Sequence, residues 1–142
     1  MNDWFEKEQL HFAAQDGDLE KVKGLIEAGY DVNAIDEGME LTPLHYAVRE
    51  EKFKIAEYLL SVGADINAHE ADKSGETPLG DVAENCTYEM AEFLIKNGAN
   101  TTIPGWMQIT AVDRAKKRKK EEGRRVYELL LNTAKQKFNY MA

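Results

Sequence analysis

The stretch "LHYAVREEKFKIAEYLLSVGADINA", residues 44–68, repeats an earlier part of the same chain almost position by position. The earlier copy, "LHFAAQDGDLEKVKGLIEAGYDVNA", occupies residues 10–34, an offset of 34 residues. A third copy begins at Leu79, and a more divergent fourth begins at Val112. Repeat units of roughly 20 to 50 residues cannot bury their apolar faces alone. The sequence therefore predicts four repeats that stack on one another.

Each copy carries the signals of two helices. Apolar residues such as Leu59 and Leu60 recur at the spacing of an amphipathic helix. Gly63 follows them, where a left-handed residue can end a helix without a side-chain clash. Thr42 and Pro43 precede the other helix, because a threonine hydroxyl accepts a free backbone N–H and proline suits the first turn. The corresponding residues in other copies are Gly29, Gly98, Thr77 and Pro78.

The motifs "TPLHYA", residues 42–47, and "GADIN", residues 63–67, resemble ankyrin repeats, and the resemblance extends over residues 6–131. It implies an all-α ankyrin repeat solenoid of four helix-hairpin units with short finger loops and little sheet. We expect a single domain over residues 1–142, in which the first and last units act as caps. The approximate units are 5–34, 35–68, 69–102 and 103–142.

The resemblance also implies a structural role for two histidines. His11 and His45 occupy the same repeat position, which in the family bonds backbone and threonine groups and ties neighbouring repeats together. The third repeat has Gly80 at this position, so we expect that link to be missing there. At the start of the chain, Trp4 and Phe5 are expected to form an apolar cap on the first repeat.

Composition argues against an exported or membrane-spanning protein. The chain has 142 residues, 43% of them apolar, and its longest apolar stretches are far shorter than the roughly 20 residues that cross a bilayer. Its start lacks the basic end and apolar run of a secretory signal. Cys86 is the only cysteine, so no disulfide can form within the chain. We expect a cytoplasmic protein that makes no contact with membranes.

Motifs for catalysis are absent from the sequence. There is no glycine-rich phosphate loop, no "GxSxG", no "HExxH" and no paired cysteine motif. His69, Glu70 and Asp72 form the one cluster that resembles a metal site, but it has no second His or Cys at ligand spacing. We therefore expect no enzyme, no catalytic residue, no cofactor and no bound metal.

The run "RAKKRKKEEGRR", residues 114–125, contrasts with the rest of the chain. It holds eight Lys or Arg residues in twelve positions, whereas residues 1–113 carry 23 acidic and 8 basic side chains. A terminal repeat has one stack face without a neighbour, which must be polar. We interpret the run as the solvated side of the last repeat, with a turn near Gly123, and expect no nucleic acid to bind. A contact with a partner protein and a nucleic-acid or localisation role are the alternatives.

In the ankyrin family, the finger tips and the exposed side of the first helices form a concave face that binds another protein. Large apolar side chains on exposed fingers usually mark a contact site, and Trp leads among residues that carry interface energy. We therefore expect Trp106 to be the main anchor of the partner. Carried over by position, the predicted partner-binding residues are Met39, Leu41, Tyr46, Arg49, Glu50, Lys73, Glu76, Asp81, Glu84, Asn85, Trp106, Met107 and Ile109.

The predicted function is a non-enzymatic module that binds one protein partner, with a basic surface, through its acidic concave face. In its sharper form, the chain resembles bacterial immunity proteins that neutralise a cognate toxin, often by covering a basic active site. One alternative is a nucleic-acid-linked regulator that uses the basic last repeat. The other is a self-associating scaffold, because Phe138 and Tyr140 lie in residues 136–142, which are predicted to continue the last helix. We expect a monomer rather than a dimer.

Overall fold

The structure is a computed structural model that describes residues 3–70 and 75–139, without the side chains of Asp3 and Trp4. The predicted cap contact of Trp4 therefore lies outside the described residues. The all-α prediction is confirmed, since the described residues form helices and turns and contain no β-strand. The helices are α1 (Asp3–Lys7), α2 (Gln9–Asp16), α3 (Leu19–Glu27), α4 (Pro43–Arg49), α5 (Phe53–Ser61), α6 (Pro78–Val82), α7 (Tyr88–Lys96), α8 (Ala111–Lys116) and α9 (Glu121–Lys137), with a 3₁₀ turn at Trp106–Gln108.

The helices divide between two compact units, Met1–Ala68 and His69–Ala142. In the first unit, α2 packs against α1, α3 and α4, while α5 packs against α4 and α3. Leu10 and Leu44, which share one repeat position, are fully buried together with Val22 and Leu59. The two helical hairpins of this unit therefore share one core.

The second unit has the same arrangement of apolar positions. Here α8 packs against α6 and α9, and α9 also packs against α7. Leu79 takes the place of Leu44 in the repeat and is fully buried, as are Leu94 and Val126 on the second helices. The apolar residues at helical spacing thus correctly predict which side of each second helix faces the core.

Helix ends follow the predicted residues. Gly63 has φ of 105°, and the next residue, Ala64, donates its N–H to the carbonyl of Leu59 at 2.9 Å. At the other end of the same repeat, the Thr42 hydroxyl accepts the backbone N–H of His45 and caps α4. Gly29 and Gly98 have φ of 100° and 92°, and Thr77 and Thr110 cap α6 and α8 in the same way.

Both histidines form hydrogen bonds within the fold, although the bond of His45 to Thr42 lies within its own repeat rather than between repeats. His11 Nε2 donates to the carbonyl of Ala34 at 2.8 Å, which ties α2 to the start of the next finger. His45 Nδ1 accepts the backbone N–H of Thr42 at 3.1 Å, so it completes the cap of its own helix. Both rings are buried.

Asn33 makes a further link between the two hairpins of the first unit. Its Nδ2 donates to the carbonyl of Gly63 at 3.0 Å, and its Oδ1 accepts the N–H of Asp65 at 2.8 Å. The loops that follow α3 and α5 are therefore joined by two hydrogen bonds from one side chain.

The last helix differs from its prediction at both ends. It begins at Glu121, so Gly123 lies inside α9 and the prediction of a turn there is wrong. It ends at Lys137, and Asn139 has φ of 55°, so the prediction that residues 136–142 continue the helix is wrong for Phe138 and Asn139. Residues 140–142 lie outside the described part of the chain.

Candidate binding surfaces of the two units

The finger of the second repeat, residues 35–41, closes around the buried side chain of Asp36. Its Oδ1 accepts the backbone N–H groups of Met39 at 3.2 Å and Leu41 at 2.9 Å. The backbone N–H of Asp36 donates in turn to the carbonyl of Leu41 at 2.9 Å. These bonds draw Leu41 inward until only 5% of it is exposed. The prediction that Leu41 lies on the exposed part of a finger is therefore wrong.

Tyr46 holds this finger from α4, because its hydroxyl donates to Asp36 Oδ2. Burial alone would raise the pKa of Asp36, but the hydrogen bonds from Tyr46 and from the N–H groups of Leu41 and Met39, together with the Coulombic effect of His11, outweigh it and lower that pKa. Burial and the adjacent carboxylate raise the pKa of Tyr46. Tyr46 is half-buried, and its hydroxyl is used within the unit rather than left for a partner.

Met39 is the exposed apolar residue of this finger, with 55% of its surface accessible. Arg49 Nη1 approaches the Met39 sulfur at 3.6 Å, and its guanidinium lies 5.9 Å from the centre of the Tyr46 ring. Glu50 follows Arg49 at the end of α4 and is exposed. The first unit therefore presents an apolar tip beside one cation and one carboxylate.

In the second unit, the Glu76 carboxylate is partly buried and is not exposed at the edge of the concave face. Its Oε2 accepts Arg114 Nη2 at 2.5 Å and the backbone N–H of Trp106 at 3.1 Å. The side chains of Glu76 and Arg114 are only 19% and 15% exposed. The expected contribution of Glu76 to an acidic rim is wrong, because its charge is already paired within the unit.

Two glycines make room for this carboxylate. A Cβ at Gly105 would overlap the Glu76 carboxyl group, and a Cβ at Gly80 would lie 2.9 Å from Glu76 Oε1. Gly80 occupies the repeat position that His45 occupies in the second repeat. Glu76 therefore takes part of the space that a histidine ring would fill there. We call Glu76, Gly80, Gly105, Trp106 and Arg114 the Glu76 cluster. The sequence shows the missing histidine, but not the residue that fills its place.

The finger of the fourth repeat, residues 103–109, carries the most exposed apolar pair of the described chain. Trp106 is 61% and Met107 is 66% exposed. The N–H of Gly105 donates to the carbonyl of Ile109 at 3.0 Å, which closes the loop. Ile109 is half-buried, so the expectation that it lies fully exposed is wrong. Of the other predicted contact residues, Glu84 and Asn85 are exposed, Asp81 is half-buried, and Lys73 lies outside the described residues.

Three cations of the basic run act as internal links. Arg114 Nη1 also contacts Glu84 Oε1 at 3.4 Å. Arg118 Nη1 donates to the carbonyl of Cys86 at 2.8 Å, close to the end of α6. The guanidinium of Arg125 lies 4.2 Å from the centre of the Tyr88 ring. The interpretation of the whole run as a solvated side is therefore wrong for Arg114 and Arg118, which are half-buried, whereas Arg125 remains exposed.

The position of the Arg118 side chain also explains why residue 123 is a glycine. A Cβ there would lie 2.5 Å from the Cβ of Arg118 and 2.6 Å from its Nε. The first turn of α9 can thus approach the Arg118 stem only because residue 123 has no side chain. The exposed cations of the run are Lys116, Lys117, Lys119, Lys120, Arg124 and Arg125.

A second apolar area lies at the start of the first unit and was not predicted as a contact site. Phe5 is 52% and Ile35 is 42% exposed, and the Phe5 ring lies 5.7 Å from that of Phe12. An open cleft of about 510 Å³ adjoins it, lined in part by Tyr30 and Ile35. Trp4 and Phe5 are a signal for this area in the sequence, although their position at the start of the first repeat predicts a cap rather than a contact site.

Comparison with known families agrees with the motif evidence. A family model described as ankyrin repeats, in three copies, matches residues 10–104, about two thirds of the chain. A comparison with curated proteins finds no match. Within the residues described by the structure, no helix combines the length and apolar character needed to cross a membrane.

Proposed function

We propose that the chain, which belongs to the ankyrin repeat family, binds a protein partner with Trp106 as its main apolar anchor. Ankyrin repeats generally act as protein–protein interaction modules, and the fold is a non-enzymatic one. The observation that carries the proposal is the exposure of Trp106 and Met107, 61% and 66%, on adjacent residues of one finger. Such side chains in solvent commonly mark contact sites.

The charge of the first unit supports a basic partner surface. Residues 1–68 carry 15 acidic and 6 basic side chains, whereas residues 69–142 carry 11 acidic and 12 basic ones. Because Glu76 is paired internally, electrostatic attraction comes mainly from carboxylates of the first unit, such as Glu37 and Glu50. We propose that these exposed groups steer a basic partner, while Trp106 slows its dissociation.

In the sharper form of the proposal, the partner is a toxin whose basic active site this protein covers. The acidic excess of the first unit is the feature that supports it. The nucleic-acid alternative has less support, since Arg114, Arg118 and Arg125 make contacts within the unit. Self-association through the end of α9 is also weakened, because Phe138 is half-buried and lies beyond the helix.

The test is capture of the partner on immobilised protein from the native host, with two matched variants. Trp106→Ala removes the proposed anchor, and Phe5→Ala removes an aromatic side chain of similar exposure in the other unit. We expect a captured protein that binds the wild type and Phe5→Ala but is lost on Trp106→Ala. Equal retention on all three proteins would contradict the proposed role of Trp106.

A further inference from the structure

We propose that the Glu76 carboxylate is a positioning group that fixes the Trp106–Gln108 turn in its exposed conformation. The benefit to partner binding rests on the proposed function, but the ordering of the turn does not. Glu76 lies directly before the Thr77 cap of α6, and the turn follows it by 30 residues in the chain. The carboxylate therefore connects a rigid helix start to a distant finger.

Both carboxylate oxygens of Glu76 lie against other members of the Glu76 cluster. Oε2 accepts hydrogen bonds from the Arg114 guanidinium and from the Trp106 backbone N–H. Oε1 faces the Cα atoms of Gly80 and Gly105, where no side chain stands in its way. Hydrogen bonds to an ionised acceptor are stronger than neutral ones, and partial burial reduces competition from water.

The two glycines leave space for the Glu76 carboxylate. Neither Gly80 nor Gly105 has a positive φ, and Gly80 lies within a regular helix. Many residues could adopt the helical angles of Gly80, whereas Gly105, with φ of −111° and ψ of −137°, has a backbone conformation that also favours glycine. A methyl group at either position would press on the carboxylate. Two glycines that face one carboxylate from different repeats indicate a site shaped around Glu76.

The turn itself requires outside support. Met107 and Gln108 have φ of 59° and 61°, which is uncommon for residues other than glycine, and here two follow each other. Within the finger, Gln108 donates its N–H to the carbonyl of Gly105 at 3.0 Å. The bond from Trp106 to Glu76 fixes this loop to the body of the unit. Because the finger is already ordered, a partner can bind Trp106 without the entropy cost of ordering the turn.

The experiment follows the Trp106 amide by NMR hydrogen exchange in three proteins. Glu76→Gln retains the size of the side chain but removes its charge. Glu84→Gln is the matched control, because Glu84 contacts the same Arg114 guanidinium through Nη1, whereas the Trp106 N–H donates to Glu76. We expect Glu76→Gln to speed exchange at Trp106 by at least about tenfold, because a neutral amide oxygen accepts the Trp106 N–H more weakly than a carboxylate and the ion pair with Arg114 is lost. The core amide of Leu94 should exchange as in the wild type.

Wild-type protection of Trp106 in Glu76→Gln would overturn the proposal. Equal loss in Glu84→Gln, or an equal loss at Leu94, would also overturn it, because either result shows general loosening of the unit. If Glu76→Gln fails to fold, Glu76→Asp gives the decisive result, since it keeps the charge but withdraws the carboxylate from the Trp106 N–H. Faster exchange at Trp106 in that variant supports the proposal, and wild-type protection overturns it. None of these readouts needs a partner, so they can fail independently of the capture experiment with Trp106→Ala.

Discussion

Arg118 should stabilise the second unit, although it lies in a run of cations that reads as a solvated surface. Its Nη1 donates to the carbonyls of Cys86 at 2.8 Å and Ala83 at 3.4 Å, and its stem packs against Gly123. A hydrogen bond that involves a charged group contributes about 1.5 to 3 kcal/mol. Because the second bond is long and the side chain is partly exposed, we count only the first. Arg118→Ala should thus lower the free energy of unfolding by about 2 kcal/mol.

The matched control is Lys119→Ala, which removes an exposed cation one residue further along. Its effect should stay within about 0.5 kcal/mol, as for most surface substitutions. The assay is urea unfolding followed by circular dichroism of the helices, because Trp106 is already exposed in the folded protein and its fluorescence would change little. A lower midpoint with an unchanged slope is expected for Arg118→Ala. Equal midpoints for the two variants would refute the assignment of Arg118 as an internal link.

Three further substitutions test the first unit. Leu59→Ala should lower the free energy of unfolding by about 2 to 5 kcal/mol, measured by urea unfolding, because Leu59 is fully buried. Asn33→Ala should cost about 1 kcal/mol in the same assay, since both bonds between the two loops are lost. The folded-state pKa of Asp36 lies below its ordinary value of 3.8, so its contribution is complete above that pH and is lost as pH falls through the folded-state pKa. Asp36→Asn should therefore be less stable at neutral pH and lose less stability on acidification, as followed by circular dichroism.

Local signals were sufficient to predict much of the fold. Gly63 follows the end of α5 and Thr42 caps the start of α4, because these preferences depend on the backbone around one residue. Leu59 is buried because helical spacing determines which side of α5 faces the core. Because these residues recur at the same position in several repeats, each repeat supports the prediction made from another.

The candidate site was harder to predict because its contacts join distant residues. Leu41 is apolar and close to exposed positions, and only its bonds to Asp36 show that the finger folds inward. Glu76 pairs with Arg114, 38 residues away, and nothing in the residue types identifies one partner among many charges. Gly123 is a typical turn residue in sequence, yet its function is to admit the Arg118 stem. Long-range side-chain pairing therefore determines which charges remain for a partner.

The most direct test of the central claim is the rate at which the captured partner dissociates from Trp106→Ala. A buried aromatic anchor acts mainly on dissociation, so the variant should lose at least about 2 kcal/mol of binding free energy, or roughly 30-fold, through faster release. Phe5→Ala should release the partner at the wild-type rate. If Trp106→Ala instead dissociates like the wild type, and footprinting protects the second helices near Glu27, Glu57 and Glu92, the claim that the partner docks on the Trp106 finger is contradicted.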